Sequence, residues 1–491
     1  MDLTLSFYHR NFVHLLGAVG VFWCALALVP CAAFADGAPP GTQAVLLPRD
    51  RPNEIVLATN FGLVFTENNG ANWTYACEVH ATAGGYRYIL GPPALTSGGV
   101  SGDRIFGISL TAPGAPFSVD DGCTWTLSGG AIVDPLNPAV AADVFPDPSD
   151  PARVFLIAIP AQPEDAPGSI YRSLDGGLTY SGPLFTPPAS TRPSLTGVEV
   201  AATSPGTVYA TWYERGASTP HLTVSHDGGD SWTDVPIAAA LGPLKPYLAA
   251  VDPQDPMTIY LRTGSADNAT DRAEGLVISS DGGATWRQPL TIAGGSIQAF
   301  LRRANGELLV LGRGPMVNGL SPPSTLFRSI DGGKSFAGEA LAFHGQGLNE
   351  RNGTLYLAAD NIIDLVALVS SDDGRAWRVG LRLEEIAGIK PCVQAACADS
   401  CDLLAGLKTF RPETCQASVD GGAKDAASDG NDAGSVPDAA GDGKDGGGGG
   451  CACAAAGANG GQPWLLGPSL GAVWLMRLRR RRALRKVRTA I

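Results

Sequence analysis

The sequence predicts an all-β fold made of seven copies of one four-stranded unit, and three observations support this prediction. A short pattern of the form Ser-x-Asp-Gly-Gly-x-Thr-Trp recurs seven times, its copies lie at regular steps, and β-rich runs stand at similar offsets around each copy. A fixed period of about 50 residues indicates one supersecondary unit that is copied and stacked. Four strands per unit at this period are typical of the blades of a β-propeller.

Each copy of the pattern has the chemistry of a tight turn between two strands. An Asp-Gly or Asn-Gly step favours a hairpin, because Gly supplies the positive φ that the turn needs and the Asp carboxylate accepts N–H groups of its own turn. The central residues of the seven copies are Asn68, Asp120, Asp175, Asp227, Asp281, Asp331 and Asp372. Trp125, Trp232 and Trp286 close three of the copies, and we predict that they are buried at equivalent places.

The runs around each copy place the strands of the unit. One run precedes a Pro/Asp turn such as Asp147–Pro151, two runs lie between that turn and the repeated pattern, and one run follows the pattern. These positions predict seven blades within residues 36–387. The second strands of the blades are predicted at Glu54–Thr59, Arg104–Leu110, Arg153–Ile159, Thr207–Tyr213, Thr258–Arg262, Glu307–Leu311 and Thr354–Ala358.

The repeated pattern resembles the Asp-box, or BNR repeat, of sialidase-like and sortilin-like β-propellers. The resemblance covers roughly residues 43–385 and implies a seven-bladed propeller. In that family the boxes lie on the outer turns between third and fourth strands, away from any active site. The resemblance therefore implies a structural role for all seven boxes.

Sialidase chemistry is the catalytic activity that the resemblance raises. In that family it requires an Arg triad, a Tyr nucleophile with a Glu partner, and an F-R-I-P-like motif near the first strand. This chain has Leu46-Leu47-Pro48-Arg49 at that place, which does not match. Its one tight Tyr/Glu/Arg cluster is Tyr213-Glu214-Arg215 at a strand end, where exposed charges are ordinary. We expect no catalytic residues, with this cluster as the alternative.

Two function classes remain open at this point. The first is a non-catalytic propeller that binds an extracellular protein or glycan through its loops, and we favour it because the sialidase motif is missing. The alternative is a secreted glycoside hydrolase of sialidase-like fold. We expect no cofactor and no metal ion, since the six histidines form no ligand pattern along the chain.

Residues 1–35 predict a secretory signal. An apolar run from Leu15 to Val29 follows His9 and Arg10, and Ala33-Phe34-Ala35 forms a small-residue cleavage site in front of Asp36. Cleavage is thus expected between Ala35 and Asp36. Lipid attachment at Cys31 is the alternative, for which Pro30 is a poor neighbour.

Residues 451–491 predict a sorting or membrane-anchor segment. Cys451-Ala452-Cys453 is followed by a short apolar helix from Pro463 to Met476 and by an Arg cluster from Arg477. The apolar run is shorter than the ~20 residues of a full span, and the Arg cluster is typical of a cytoplasmic stop signal.

This arrangement resembles the myxobacterial C-terminal sorting signal. The resemblance implies cleavage near Cys451, lipid attachment there or at Cys453, and display at the cell surface or outer membrane. A permanent, marginal anchor is the alternative.

Residues 416–450 predict a disordered acidic linker, because they hold seven Asp and no aromatic residue and so bury little apolar surface. A calcium site between Asp425 and Asp432 is an alternative, although their spacing does not match an EF-hand loop. The linker would hold the propeller away from the membrane.

Six of the ten cysteines fall in the exported body, an even number that suits an oxidising compartment. Cys77 follows the first box and Cys123 lies in the second, so we predict a Cys77–Cys123 disulfide between neighbouring blades. The others predict a small disulfide-bonded module over residues 388–415, with its pairing left open; they are Cys392, Cys397, Cys401 and Cys415. A zinc site there is disfavoured by the spacing.

The formal net charge of −12 argues against a nucleic-acid partner. We expect an exported monomer that reaches the membrane through its C-terminal segment.

Overall fold

A computed structural model describes residues 40–77, 85–95, 101–109, 114–133, 138–160, 166–188, 192–265 and 273–416. The predicted signal segment, the linker from residue 417 onward with its alternative calcium site, and the sorting segment with Cys451 and Cys453 lie outside these residues. No helix within the described ranges is long and apolar enough to cross a membrane.

Seven antiparallel sheets form a closed ring, which confirms the predicted seven-bladed propeller. Within a blade, consecutive strands pair with each other, and the first strand lies at the centre of the ring. The strands of blades 1 to 3 are β1 (Thr42–Leu46), β2 (Ile55–Thr59), β3 (Gly62–Thr66), β4 (Thr74–Cys77), β5 (Gly85–Leu95), β6 (Ser101–Ser109), β7 (Phe117–Ser118), β8 (Gly129–Gly130), β9 (Ala139–Pro146), β10 (Val154–Pro160), β11 (Ser169–Ser173) and β12 (Thr179–Phe185).

The strands of blades 4 to 7 are β13 (Pro193–Val200), β14 (Val208–Glu214), β15 (Thr219–Ser225), β16 (Thr233–Val235), β17 (Lys245–Val251), β18 (Ile259–Gly264), β19 (Ala273–Ser279), β20 (Arg287–Ala293), β21 (Ser296–Arg302), β22 (Leu308–Arg313), β23 (Thr325–Ser329), β24 (Ala337–Ala340), β25 (Gly345–Arg351), β26 (Thr354–Ala359), β27 (Leu368–Ser371) and β28 (Arg378–Leu381). Strand β29 (Gly388–Ile389), helix α1 (Ala238–Leu241) and helix α2 (Gln394–Gly406) complete the regular elements.

Blade 2 departs from the common pattern at its outer edge. Its fourth strand is reduced to a single bridge between Phe117 and Thr126. The chain then runs as β8 in parallel with β12 and becomes a fifth strand of blade 3. The second strands carry the apolar runs of the blades, because neighbouring blades cover both of their faces; all five residues of β2 are buried.

Every innermost strand carries an irregularity near its start or middle that leaves one residue without a partner on the second strand, and β5 has a further one between Leu90 and Pro93. The unpaired residues are Gln43, Tyr86, Ala142, Thr196, Ala249, Gln298 and Gln346. Bulges re-aim side chains and are common next to functional sites. Four of the unpaired residues line the central cavity; they are Ala142, Thr196, Ala249 and Gln298.

The Asp boxes form one repeated hydrogen-bonded turn, shown here by the fifth box. The hydroxyl of Ser279 donates to Asp281 at 2.8 Å and accepts the N–H of Gly283 at 2.8 Å. Asp281 accepts the N–H of Thr285 at 2.8 Å and the Thr285 hydroxyl at 2.5 Å. The side chain of Asp281 therefore closes its own turn. In the first box the amide oxygen of Asn68 replaces the carboxylate and accepts the N–H of Asn72 at 2.9 Å.

The prediction that Asp372 is central to the seventh box is wrong by one residue. Ser371 donates to Asp373 at 3.2 Å, and Asp373 accepts the N–H of Arg375 at 2.9 Å. Asp372 instead pairs with the side chain of Arg378. The seventh turn is one residue tighter than the others, since Gly374 donates to a serine only three residues before it.

The prediction of buried tryptophans also needs correction. Trp73 is buried, with 3% of its surface exposed, whereas Trp125, Trp232 and Trp286 are only half-buried. Trp286 lies across its own turn and donates its indole N–H to the carbonyl of Gly283 at 2.8 Å. Trp232 makes the same bond to Gly229 at 2.9 Å, and all three side chains pack against the margin of a core cluster rather than inside it.

The predicted Cys77–Cys123 disulfide is wrong. Cys77 pairs with Cys397 at a Cα separation of 5.4 Å, and Cys123 pairs with Cys392 at 5.5 Å. The physical reason is that β29 lies in parallel along β4 and brings the chain after blade 7 against both cysteines. Within the predicted module itself the disulfide joins Cys401 to Cys415. We refer to residues 383–416 as the C-terminal arm.

Candidate ligand-binding site in the central channel

The two faces of the ring differ in what they present. The Asp-box turns lie at the same end of the blades as the turns between first and second strands, since Gly228 donates its N–H to Gly206 at 2.8 Å and Gly282 donates to Met257 at 2.9 Å. We call this end the lower face. The opposite end, or upper face, carries the connections between blades and the loops between second and third strands.

A cavity of about 540 Å³ lies in the central channel and is lined by the inner strands of blades 2 to 6. Aromatic walls come from Phe145, Tyr247 and Phe300. Polar side chains from five blades converge on the same space; they are Arg87, Asp143, Ser194, Thr196, Glu199, Lys245, Arg262 and Gln298. Apolar walls with a few convergent polar groups are characteristic of a small-ligand site.

Two carboxylic acids of neighbouring blades give the channel its electrostatic character. Burial raises the pKa of Asp143 to about 6, against the opposing charge of Arg87 and N–H donors from Val198 and Val144. Burial, helped by the charge of Asp143, raises the pKa of Glu199 to about 8, although the hydrogen bond from the N–H of Val251 acts to lower it. Both side chains keep some contact with solvent because the channel is open, although protein surrounds them. At neutral pH, Asp143 is therefore mainly ionised and Glu199 mainly protonated.

A second cavity of about 510 Å³ lies between the upper ends of blades 5 and 6 and shares Tyr247 with the channel. The guanidinium of Arg262 lies 4.5 Å from the centre of the Tyr247 ring, and the ammonium of Lys245 lies 5.6 Å from it. Both are cation–π distances. Tyr247 thus connects the two cavities and is flanked by two cations.

Side chains from one blade hold the bulged strand of the next blade. Arg262 donates to the carbonyl of Ile297 at 3.1 Å, and Glu274 accepts the N–H of the same residue at 2.8 Å. Arg313 occupies the matching position in blade 6 and donates to the carbonyl of Gly345 at 3.0 Å. The buried Nε of Arg313 has no hydrogen-bond partner. Arg262 lines the channel and Arg313 lines the second cavity, and both also join the blades.

The Tyr213, Glu214 and Arg215 cluster lies at the upper end of blade 4. Tyr213 is buried and donates its hydroxyl to the carbonyl of Pro243 at 3.0 Å. Glu214 lies 3.3 Å from the Nε2 of His221. Neither cavity has any of the three among its lining residues. Tyr213 occupies the position on the second strand of blade 4 that Arg262 occupies in blade 5 and Arg313 in blade 6. Like them, it connects its blade to the segment that follows.

One feature of the sequence points to the channel acids, although it was not used to predict them. Asp143 and Glu199 are single charged residues within otherwise apolar or weakly polar inner strands. A lone carboxylate in a strand that packs on both faces points either to an ion pair or to a functional channel. Only the ring closure shows that the two acids belong to one cavity.

Among the described residues, no group of three His, Cys, Asp or Glu side chains is placed to hold a metal ion. His221 stacks on Trp212 with ring centres 3.6 Å apart. His344 places Nδ1 at 2.7 Å from Asp364 and Nε2 at 3.1 Å from the carbonyl of Ser321. Both histidines therefore join neighbouring segments of the propeller.

The sequence matches no protein-family model and no curated protein. Solved structures show a likeness of fold. YCF48 from Cyanidioschyzon merolae is 13% identical, with a TM-score of 0.45 over 68% of this chain and 97% of that chain. A GH74 enzyme of Niastella koreensis is 15% identical, with a TM-score of 0.34 over 69% of each chain. A Hadza microbial sialidase is 16% identical, with a TM-score of 0.36 over 62% of this chain and 71% of that chain. Likeness at this level concerns the fold alone.

Proposed function

We propose that this chain is an exported, surface-attached binding protein that takes a polar, hydroxyl-rich ligand such as a glycan into the upper mouth of its channel. The observation that carries the proposal is the convergence of polar side chains from five blades on one cavity with aromatic walls. Sugar hydroxyls both donate and accept hydrogen bonds. The cavity offers both partners, with Arg87 and Lys245 as donors, Asp143 as acceptor, and Gln298 as either.

Export and attachment form part of the same proposal. The signal segment before Asp36, the three disulfides and the sorting segment after Gly450 suit an oxidising compartment and a surface location. The acidic chain favours an extracellular protein or glycan over nucleic acid. A protein loop inserted into the mouth is the other ligand class that this surface suits.

A glycan-array screen with the exported chain, followed by calorimetry on the best hit, tests the proposal. We expect Lys245→Ala and Gln298→Ala each to weaken binding about tenfold, because each removes roughly one hydrogen bond to a polar ligand. Lys334→Ala is the matched control, since Lys334 is exposed in the sixth box on the lower face. Binding that falls equally in the control, or an array without any bound glycan, would contradict a glycan site in the channel.

We propose glycoside hydrolysis as a second candidate, because the channel holds two acids whose pKa values differ. A protonated acid beside an ionised carboxylate is the arrangement that glycosidases use. Glu199, with its pKa raised to about 8, would donate the proton, and Asp143, with its pKa raised to about 6, would act as base or nucleophile.

Reducing-sugar release from a panel of polysaccharides tests this candidate. Activity should be bell-shaped in pH, with limits near 6 and 8, and should fall at least about 100-fold in Glu199→Gln and in Asp143→Asn. A wild-type chain that binds a glycan and does not cleave it over this range leaves binding as the function.

A further inference from the structure

The ring is closed without an exchange of strands between its two ends. Blade 1 consists of β1 to β4 and blade 7 of β25 to β28, so each blade is built from one continuous stretch of chain. The seam between them depends on side chains. Asn349 donates to the carbonyl of Val45 at 3.0 Å, and Arg351 donates to the carbonyls of Pro48 at 2.7 Å and Pro52 at 2.8 Å.

The C-terminal arm crosses from blade 7 to the outer edge of blade 1. Ala387 donates its N–H to Trp73 at 2.8 Å, and Lys390 donates its N–H to Tyr75 at 2.7 Å. The ammonium of Lys390 lies 4.1 Å from the ring of Phe65 and 3.3 Å from Glu67. Helix α2 then buries one face against blade 1, where the Phe410 ring beyond the helix lies 5.0 Å from that of Tyr75.

Three disulfides make this crossing covalent. Cys77–Cys397 joins the outer strand of blade 1 to α2 over a sequence separation of 320 residues. Cys123–Cys392 joins the box of blade 2 to the start of the arm over 269 residues. Cys401–Cys415 joins α2 to the end of the arm over 14 residues. From Gln416 a covalent path thus leads through Cys415 and Cys401 into blades 1 and 2, without passing through blade 7.

We propose that the C-terminal arm carries mechanical load, taking a pull on the C-terminal side of Gln416 into blades 1 and 2 and thereby sparing the seam between blades 7 and 1. Without the two long bridges, the same pull would enter at β28 and act directly on blade 7. With them, residues 78–396 lie outside the loaded path. The proposal rests on the surface attachment proposed above, which supplies the pull, whereas the path of the bonds is the same for any ligand.

Single-molecule stretching of the exported chain, with handles before Thr42 and after Gln416, tests the proposal. With bridges intact, the loaded path holds about 40 residues and extends by ~140 Å at ~3.5 Å per residue. Reduction of the folded protein should lengthen the extension to ~1,300 Å. It should also lower the force at which the first blade unfolds, because the seam then bears the load.

Variants that lack one disulfide change the length of the loaded path by different amounts. Cys77→Ser with Cys397→Ser moves the load to the Cys123–Cys392 bridge and should give ~320 Å, about 90 residues. Cys401→Ser with Cys415→Ser is the matched control, which should add only ~50 Å to the wild-type extension. A wild-type chain that extends fully without reductant, or an unfolding force that is the same before and after reduction, would overturn the proposal.

Discussion

Two residues in the channel show how the propeller raises the pKa of ordinary carboxyl groups. Glu199 stands in an inner strand, accepts the N–H of Val251 at 2.7 Å, and has its pKa raised to about 8 chiefly by burial. Asp143 stands one blade away and has its pKa raised to about 6. Both values follow from position in the ring, because the same residues in an isolated hairpin would face water.

The pH dependence of stability tests the environment of Glu199. A carboxyl group whose folded pKa is raised contributes stability that is present below its unfolded pKa and is lost as pH rises through the folded value. Wild type should therefore lose stability between pH 5 and 9. Glu199→Gln keeps an acceptor for Val251 and has no proton to lose, so it should match wild type at pH 5.

At pH 9 we expect Glu199→Gln to be more stable than wild type by about 2 kcal/mol, a figure reduced for solvent in the channel. Guanidinium unfolding of both proteins at each pH measures this difference. Glu54, whose pKa burial raises to about 7, titrates in both proteins and cancels in the comparison. Equal stabilities at pH 9 would mean that Glu199 ionises freely in the channel.

Two tryptophans of the Asp boxes should differ in their energetic contribution. Trp73→Ala removes a buried ring and should cost about 3–5 kcal/mol of unfolding free energy. Trp286→Ala removes a half-buried ring and should cost about 2 kcal/mol. Denaturant midpoints of the two variants provide the comparison. A larger loss for Trp286 would indicate that the outer cover of the turn matters more than core packing.

At the scale of the element, the Asp-box turn is stabilised by hydrogen bonds that need an acceptor rather than a charge. Hydrogen bonds from the hydroxyl and N–H of Thr285 lower the pKa of Asp281 to about 2. The first box makes the backbone bond with an amide oxygen, since Asn68 accepts the N–H of Asn72. The family of turns therefore tolerates Asn at the central position.

Asp281→Asn and Asp281→Ala separate these contributions. We expect hydrogen exchange at the Thr285 amide to stay slow in Asp281→Asn, because the acceptor remains, and to become fast in Asp281→Ala. In wild type the protection should persist as pH falls through the usual Asp range and also below pH 2, where Asp281 gains its proton, because the neutral carboxyl still offers a carbonyl acceptor. Fast exchange in both variants would show that the charge itself closes the turn.

Strands and turns were readable from the sequence because their signals are local. The second strand of blade 3, predicted at Arg153–Ile159, is observed as β10 at Val154–Pro160. The bulges were not readable, since Gln298 and Thr196 have no common residue type and a bulge depends on pairing with the next strand. The same limit explains the error of one residue at Asp372, where two adjacent Asp residues compete for one place in the turn.

The whole molecule adds the information that no local pattern contains, namely which distant segments meet. The number of blades followed from the seven boxes. The partners of Cys77 and Cys123 did not, because β29 joins blade 1 from a position more than 300 residues later in the chain. Asp143 and Glu199 became a candidate site for the same reason, since closing the ring places their blades around one channel.

Truncation tests how much of the molecule's stability depends on the arm. A chain that ends at Leu383 lacks both long disulfides and exposes Phe61 and Tyr75, which the arm covers. Removal of a native disulfide costs about 2–5 kcal/mol, so we expect a loss of at least about 5 kcal/mol and a thermal midpoint lower by roughly 10 °C. A chain that ends at Gln416 keeps the whole arm and should melt like the full-length chain in calorimetry. If both truncated chains melted at the wild-type temperature, the seam between blades 7 and 1 would suffice to close the ring, and the arm would serve only under load.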